Sequence, residues 1–289
     1  MSSKKLHPRG KPAWLKKKLP RGGDYQRVTQ LLSSAELHTV CQEANCPNMF
    51  ECFSKNTATF MILGSQCTRH CRFCNITAKP VEKVDPNEPK RVARTAAKLK
   101  LKYVVVTSVT RDDLEDGGAA HFAAVIRELK SADGPAKVEV LIPDFQGNKD
   151  ALKTVLDAEP NVLNHNIETV PRLYSKARPE ANYEQSLELI QRAKAFAPHI
   201  PTKSGLMVGL GETMEELIAT MEDLHAHGCD ILTIGQYLQP TQAHLSVEKF
   251  YTPEEFDTLE ERARQIGFTQ VAAGPFVRSS YNAEELYSS

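Results

Sequence analysis

Short apolar runs alternate with amphipathic stretches along most of this 289-residue chain. Six of the apolar runs are rich in β-branched residues and apolar enough to be buried on both faces, as parallel strands are. These runs are Thr57–Leu63, Tyr103–Ser108, Lys137–Ile142, Val162–Glu168, Thr202–Val208 and Ile231–Tyr237. Between them, apolar residues recur at helical spacing, for example Phe122, Val125 and Ile126. This alternation of strands and helices predicts a parallel α/β sheet.

Helix boundaries and the number of units refine this prediction. Thr213 and Glu216 have the spacing of a capping box, in which each side chain binds the backbone of the other residue. Because six strand–helix units are fewer than the eight of a closed TIM barrel, we expect an α/β fold with an open (β/α)6 partial barrel over residues 57–268. Residues 1–56 and 269–289 do not fit the repeat and are expected to be N-terminal and C-terminal extensions packed against the barrel.

Charge gives no overall signal but is uneven along the chain. The formal net charge is zero, so bulk charge does not predict binding to nucleic acid or to a membrane surface. Nine basic residues and one acid lie between Lys4 and Arg27, a segment that is either a solvated tail or a docking arm for an acidic protein surface. No apolar run is long enough to span a bilayer, and no apolar signal segment is present, so we expect a cytoplasmic protein.

Candidate chemistry begins with the cysteines, six of which lie between Cys41 and Cys74. In a reducing compartment, such clustering indicates metal binding or catalysis before disulfides. Cys67, Cys71 and Cys74 have the spacing C-x3-C-x2-C and follow the first predicted strand, at the end where barrel active sites are built. Three thiolates can ligate three irons of a [4Fe–4S] cluster and leave the fourth iron open. The alternative is a zinc site completed by His70, although its position directly beside Cys71 makes chelation of one ion awkward.

A second set of three thiolates stands upstream of the first strand. Cys41, Cys46 and Cys52 have the spacing C-x4-C-x5-C. On physical grounds alone this set could hold zinc, a second cluster or no metal. Three soft thiolates with no adjacent histidine favour an iron–sulfur cluster.

The first cysteine loop, with Phe73 before its third cysteine, resembles the signature of the radical S-adenosylmethionine (SAM) superfamily. The resemblance implies that Cys67, Cys71 and Cys74 hold a [4Fe–4S] cluster whose open iron binds the amino and carboxylate groups of SAM. Reductive cleavage of SAM then gives a 5′-deoxyadenosyl radical. The cofactor carries the difficult chemistry, while the protein orients it and excludes water.

The two cysteine sets in this order, together with the segment Arg278–Tyr281, resemble the lipoyl synthase family. The resemblance extends from about Arg27 to the end of that segment. It implies that a second [4Fe–4S] cluster on the upstream cysteines has a serine as its fourth ligand, assigned to Ser280 with Ser279 less favoured. An alkoxide is a harder and poorer ligand for iron than a thiolate, which suits a cluster that is dismantled as a sulfur donor.

Polar residues at the C-terminal ends of the predicted strands complete the candidate site. Thr107 and Ser108 end the second strand, and Asn166 and Glu168 share one face of the fourth. We expect these residues to contact SAM. Arg178 is expected to meet the SAM carboxylate, because guanidinium pairs well with carboxylate.

The family resemblance implies an enzyme that inserts sulfur at carbons 6 and 8 of an octanoyl chain. The chain would be attached to a lysine of a lipoyl carrier protein, such as an E2 domain or the glycine cleavage H protein. Implied partners are a ferredoxin or flavodoxin electron donor and a cluster assembly or carrier protein, with no nucleic acid and no membrane. The alternatives are a biotin-synthase-like enzyme, a methylthiotransferase or a zinc-binding interaction module.

Overall fold

The computed structural model of the chain describes residues 12–15, 24–35, 37–43, 48, 59–78, 81–131, 137–280 and 283–288. Within these residues the strands are β1 (His38–Thr39), β2 (Thr59–Ile62), β3 (Gln66–Cys67), β4 (Thr77–Ala78), β5 (Tyr103–Ser108), β6 (Lys137–Leu141), β7 (Val162–Asn164), β8 (Thr202–Val208), β9 (Ile231–Gln236) and β10 (Gln270–Gly274). Eight of them form one sheet in the order β1-β2-β5-β6-β7-β8-β9-β10, and β3 pairs with β4. All neighbours in the large sheet are parallel except β1 and β2.

Helices connect the parallel strands and cover the outer face of the sheet. In the described residues they are α1 (Asp24–Ser34), α2 (Val40–Glu43), α3 (Glu88–Lys98), α4 (Ala119–Ser131), α5 (Lys149–Leu156), α6 (Tyr174–Ala177), α7 (Tyr183–Phe196), α8 (Met214–Ala226), α9 (Pro253–Ile266) and α10 (Ala283–Ser288). The capping box of Thr213 and Glu216 is present at the start of α8. No helix in the described residues combines the length and apolar character needed to cross a bilayer.

Strand β5 shows how the sheet divides its two faces. Val104 and Val106 are fully buried in the apolar core that the covering helices share. Val105 instead packs with Tyr103 and with Ala283 of α10. Because side chains alternate along a strand, Tyr103, Val105 and Thr107 line the interior of the barrel. The interior therefore becomes more polar towards the C-terminal end of this strand.

The open parallel α/β sheet expected from the sequence is confirmed, with two corrections at its strand ends. Strand β7 stops at Asn164, and Glu168 rejoins the sheet only as a single bridge to Leu206. The backbone at Glu168 has φ of 68°, which ends the extended run. Strand β10 was not predicted, and it adds a parallel strand beside β9. Its sequence, Gln-Val-Ala-Ala-Gly, contains too little β-branched or aromatic character to mark a strand.

Both extensions make contacts that bear on the site. Asn48 donates from its side-chain nitrogen to the carbonyl of Phe276 at 2.6 Å. The ring of Tyr287 in α10 lies 5.8 Å from the ring of Tyr103 at the start of β5. The packing expected for the N-terminal and C-terminal segments is thus seen at these residues, and the division of the chain into three parts stays a prediction.

Candidate active site

The loop that carries Cys67, Cys71 and Cys74 follows β2 at the C-terminal end of the barrel. Cys67 lies in β3, which pairs with β4 and so closes the base of the loop. The Cys67 sulfur accepts a hydrogen bond from the backbone nitrogen of Thr110 at 3.3 Å, and the Cys74 nitrogen donates to the Cys71 carbonyl at 3.0 Å. All three thiols are free and partly buried. The sequence therefore placed this group at the correct end of the barrel.

Burial sets the electrostatics of these thiols. It raises the pKa of Cys71 to about 12, against an opposing effect of the Arg178 charge. Burial likewise raises the pKa of Cys74 to about 11, with further contributions from Cys67 and Glu168. A metal or cluster that binds here must displace protons from these thiols.

The geometry favours a cluster over a single zinc ion. Within the described residues, no three His, Cys, Asp or Glu side chains come together as ligands of one metal ion. His70, the proposed fourth zinc ligand, is 70% exposed and lies 3.2 Å from Glu180. A tetrahedral zinc site needs its ligands around one point, whereas a cubane offers each thiolate a separate iron. The donor set of three soft thiolates fits a [4Fe–4S] cluster with one iron left open.

Unpaired polar atoms surround the cysteine loop. Asn166 donates to Glu168 at 3.1 Å, and Arg178 donates to the Asn166 carbonyl at 3.0 Å. The side-chain oxygens of Asn166 and Ser108 and the Nε of Arg178 are nevertheless buried with no hydrogen-bond partner. Thr107 donates its hydroxyl to the Leu141 carbonyl at 2.8 Å, so only its acceptor capacity remains for a ligand. Buried polar atoms without partners are costly, and a bound polar ligand such as SAM would satisfy them.

Space for such a ligand is kept open by a glycine. A Cβ atom at Gly205 in β8 would lie 2.7 Å from the Asn166 side-chain oxygen and 3.1 Å from the Thr233 hydroxyl. Glycine is the residue that allows this close approach between neighbouring strands inside the barrel.

Glu168 combines a strained backbone with a perturbed carboxyl group. Its φ of 68° is in the left-handed region, which a side chain other than that of glycine rarely adopts. Burial raises the pKa of Glu168, although Arg178 and Asn166 act in the opposite direction. Strain and a shifted pKa in one residue at a strand end are typical of a functional position.

The second cysteine set lies mostly outside the described residues. Cys46 and Cys52 are outside them, and Cys41 is described only as backbone in α2. Two hydrogen bonds nevertheless locate the neighbourhood of this set. Asn75, next to Cys74, donates to the Glu43 carbonyl at 2.9 Å, and Asn48 donates to Phe276, four residues before Ser280. The upstream motif therefore contacts both the first cysteine loop and the segment that carries Ser280.

One group beside the cysteines was missed by the sequence analysis. Arg69 lies between Cys67 and Cys71 and makes ion pairs with Asp112 and Asp144. Asp112 and Asp144 follow β5 and β6, so all three residues lie at the same end of the barrel. The signal available was a charged residue inside the loop and acidic residues after two neighbouring strands.

Comparison with known proteins agrees with this site. The model of the radical SAM superfamily matches residues 61–224, and that of the N-terminal domain of lipoyl synthase matches residues 2–46. The lipoyl synthase of Alkaliphilus metalliredigens is 56% identical over 275 residues, which cover 95% of this chain and 95% of that protein. The lipoyl synthase of Desulfotalea psychrophila is 56% identical over 96% of this chain and 93% of its own.

The chain belongs to the lipoyl synthase family. Solved structures place the family's barrel among radical SAM folds. Methylornithine synthase aligns with a TM-score of 0.52 at 15% identity, over 77% of this chain and 72% of its own. Streptococcus suis SuiB bound to S-adenosylmethionine aligns with a TM-score of 0.59 at 13% identity, over 78% of this chain and 54% of its own. These two similarities support the fold, an open partial barrel.

Membership of the lipoyl synthase family implies SAM and [4Fe–4S] clusters as cofactors. The residues at the barrel's C-terminal end fit this requirement. The three thiols at Cys67, Cys71 and Cys74 are free, and polar atoms of Asn166 and Arg178 await a partner beside them. The assignment of individual residues to each cofactor stays a prediction.

Proposed function

We propose that this chain catalyses the last step of lipoyl formation, inserting two sulfur atoms at carbons 6 and 8 of a protein-bound octanoyl chain. The observation that carries the proposal is 56% identity to lipoyl synthases over nearly the whole chain. The geometry supports it, because Asn75 and Asn48 connect the upstream cysteine motif to the first cysteine loop and to the Ser280 segment.

The chemistry explains why such a site is built for a radical reaction. The hydrogens at carbons 6 and 8 are not acidic, since nothing stabilises the carbanion that a general base would leave. When bound, the first cluster and SAM supply a one-electron route to a hydrogen-abstracting radical, and the second cluster supplies sulfur. The protein's task is to hold these groups in place and to exclude water.

Named residues divide this task. Cys67, Cys71 and Cys74 would hold the first cluster, and their three thiolates leave the position that SAM needs. The Arg178 guanidinium suits the SAM carboxylate, because a planar fork of N–H donors matches the two carboxylate oxygens. Asn166 offers an unpaired buried oxygen to a donor of SAM, and Glu168 a carboxylate beside it. Ser108 and Thr107 add hydroxyl groups on the neighbouring side of the barrel.

The second cluster would be held by Cys41, Cys46, Cys52 and Ser280. A serine oxygen binds iron less well than a thiolate does. Ser280 would therefore release its iron more readily than the three cysteines would. Ser279 is the less favoured candidate for this position.

Partners follow from the same proposal. The substrate would be an octanoylated lipoyl carrier protein, such as an E2 domain or the glycine cleavage H protein. Each SAM cleavage requires an electron, which a ferredoxin or flavodoxin would supply. A cluster assembly or carrier protein would provide the second cluster. The reaction would take place in the cytoplasm, where reducing conditions preserve thiolate ligands.

Anaerobic iron and sulfide analysis tests the cofactor assignment. The reconstituted protein should contain about eight irons per chain, as expected for two [4Fe–4S] clusters. The variant with Cys67, Cys71 and Cys74 all replaced by alanine should retain about half of this iron, since the second set of ligands is intact. A wild-type protein that holds a single cluster, or one zinc ion, would contradict the proposal.

A pair of serine variants tests the second site. Ser280→Ala should leave reductive SAM cleavage intact and remove sulfur insertion into an octanoyl-lysine peptide. Ser279→Ala is the matched control and should retain both activities. Equal loss of both activities in Ser280→Ala would refute the assigned role, and loss of sulfur insertion in Ser279→Ala alone would transfer it to Ser279.

A further inference from the structure

Arg69 is a buried charge within the first cysteine loop. Its side chain is 7% exposed, although it lies between two of the three cysteines. The guanidinium donates from Nε and Nη2 to Asp112 at 2.6 and 2.9 Å, and from Nη1 and Nη2 to Asp144 at 2.7 and 2.7 Å. Both contacts are bidentate, the geometry in which arginine binds carboxylates most strongly.

The two aspartates are held by elements other than the cysteine loop. Asp144 accepts a hydrogen bond from the Gln146 nitrogen at 3.0 Å and so caps the turn after β6. Asp112 belongs to the loop after β5, and its nitrogen donates to the Thr68 hydroxyl at 3.1 Å. Thr68 in turn donates from its nitrogen to the Thr110 carbonyl at 3.0 Å. The cysteine loop is thus tied to the ends of two neighbouring strands.

The electrostatics of this group favour the charged state of every member. Burial pushes the pKa of Asp144 upwards, but the hydrogen bonds and charge of Arg69 more than offset this effect and hold it below its ordinary value. Burial opposes the charge of Arg69, and the two aspartates raise its pKa above the ordinary value. Lysine could not replace this arginine, because an ammonium lacks the planar fork that serves two carboxylates at once.

We propose that Arg69 is a positioning residue that holds the first cysteine loop in its ligating conformation before any cluster binds, with Asp112 and Asp144 as anchors. The proposal rests on the proposed function only in taking this loop as the first cluster's site. A loop that is ordered in advance spends less of its binding free energy on ordering when the cluster arrives.

Neighbouring aspartates provide a matched test of the proposal. Asp112 is 23% exposed and binds Arg69, whereas Asp113 is 34% exposed and binds Arg111 within its own loop at 2.8 Å. Asp112→Asn and Asp113→Asn therefore remove the same charge from adjacent positions. Hydrogen exchange of the amides in residues 68–74 should be about tenfold faster in cluster-free Asp112→Asn, as loss of a charge-assisted hydrogen bond implies. It should be unchanged in Asp113→Asn.

A second readout follows the cluster itself. During anaerobic reconstitution, Asp112→Asn and Arg69→Lys should fill the first site about tenfold more slowly than the wild type, again the effect of one lost charge-assisted hydrogen bond. The signal is the electron paramagnetic resonance of the reduced cluster and its change on addition of SAM. Asp113→Asn should match the wild type in both.

The outcomes separate this inference from the proposed function. Equal exchange rates in Asp112→Asn and Asp113→Asn would overturn the positioning role, whatever the wild-type chain binds. A wild-type protein that takes up no cluster would instead contradict the proposed function, and the exchange rates of the cluster-free proteins would still decide the role of Arg69. If Arg69→Lys fails to fold, Asp112→Asn decides alone, since Asp112 is partly exposed.

Discussion

The two ends of the barrel interior treat buried polar groups in opposite ways. Near the N-terminal ends of the strands, Lys203 binds both oxygens of Glu139 at 2.9 and 3.2 Å, and Tyr103 donates to the same carboxylate at 2.8 Å. Both charged side chains are 1% exposed. At the C-terminal ends, Asn166 and Arg178 each leave a buried polar atom without a partner. We refer to the first group (Tyr103, Glu139, Lys203) as the floor and to the second (Asn166, Arg178) as the mouth.

The difference indicates what each end contributes. Satisfied polar networks maintain a particular packing, whereas unsatisfied buried groups cost free energy unless a ligand completes them. The floor should therefore matter for stability and the mouth for ligand binding. Proteins commonly depart from full polar satisfaction at functional sites, and the mouth follows that rule.

The largest expected effect comes from breaking the floor. Lys203→Met leaves the buried Glu139 charge without its partner and should lower the free energy of unfolding by about 3–5 kcal/mol, the usual cost of breaking a buried pair. The double variant Lys203→Met/Glu139→Leu should recover most of this loss. Urea unfolding measures both. A single variant as stable as the wild type would remove the distinction between floor and mouth.

His165 sharpens the comparison, because it lies between Asn164 and Asn166 but faces the covering helices. Its Nδ1 lies 2.9 Å from the Ile142 carbonyl, which can only accept, so the neutral ring carries its proton there. Burial lowers the pKa of His165 to about 4 from the ordinary 6.5, and the Arg178 charge acts in the same direction.

The neutral form of His165 is therefore favoured in the folded state. Its contribution to stability is fully present above pH 6.5 and is lost as the pH falls towards 4, where the unfolded chain binds a proton that the folded chain does not. The loss should be roughly 3 kcal/mol over this window. His165→Asn should flatten this part of the stability profile, as measured by urea unfolding at several pH values. An unchanged slope would show that other groups cause the acid sensitivity.

The smallest expected effect lies at the mouth. Asn166→Ala removes an unpaired oxygen and should weaken SAM binding about tenfold, the equivalent of one hydrogen bond. The urea midpoint should hardly move, since no satisfied contact of the Asn166 oxygen is lost. Calorimetric titration of SAM into the reconstituted protein measures the affinity. Unchanged affinity with a lowered midpoint would reverse the roles assigned to the two ends.

Local pattern carried much of this structure and stopped where distant segments meet. The strands, the capping box at Thr213 and the cysteine loop were predictable because each depends on periodicity or spacing within a short stretch. Strand β10 was not, because its alanines and glycine gain their strand conformation from pairing with β9. The contacts of Arg69 were also hidden, since Asp112 and Asp144 lie 43 and 75 residues away.

The central claim is that this chain inserts sulfur into an octanoyl chain. It is tested most directly by the mass of an octanoyl-lysine peptide after anaerobic incubation with the reconstituted protein, SAM and a reductant. We expect a product that has gained two sulfur atoms and lost two hydrogen atoms, accompanied by 5′-deoxyadenosine. Cleavage of SAM with the peptide mass unchanged would contradict the claim.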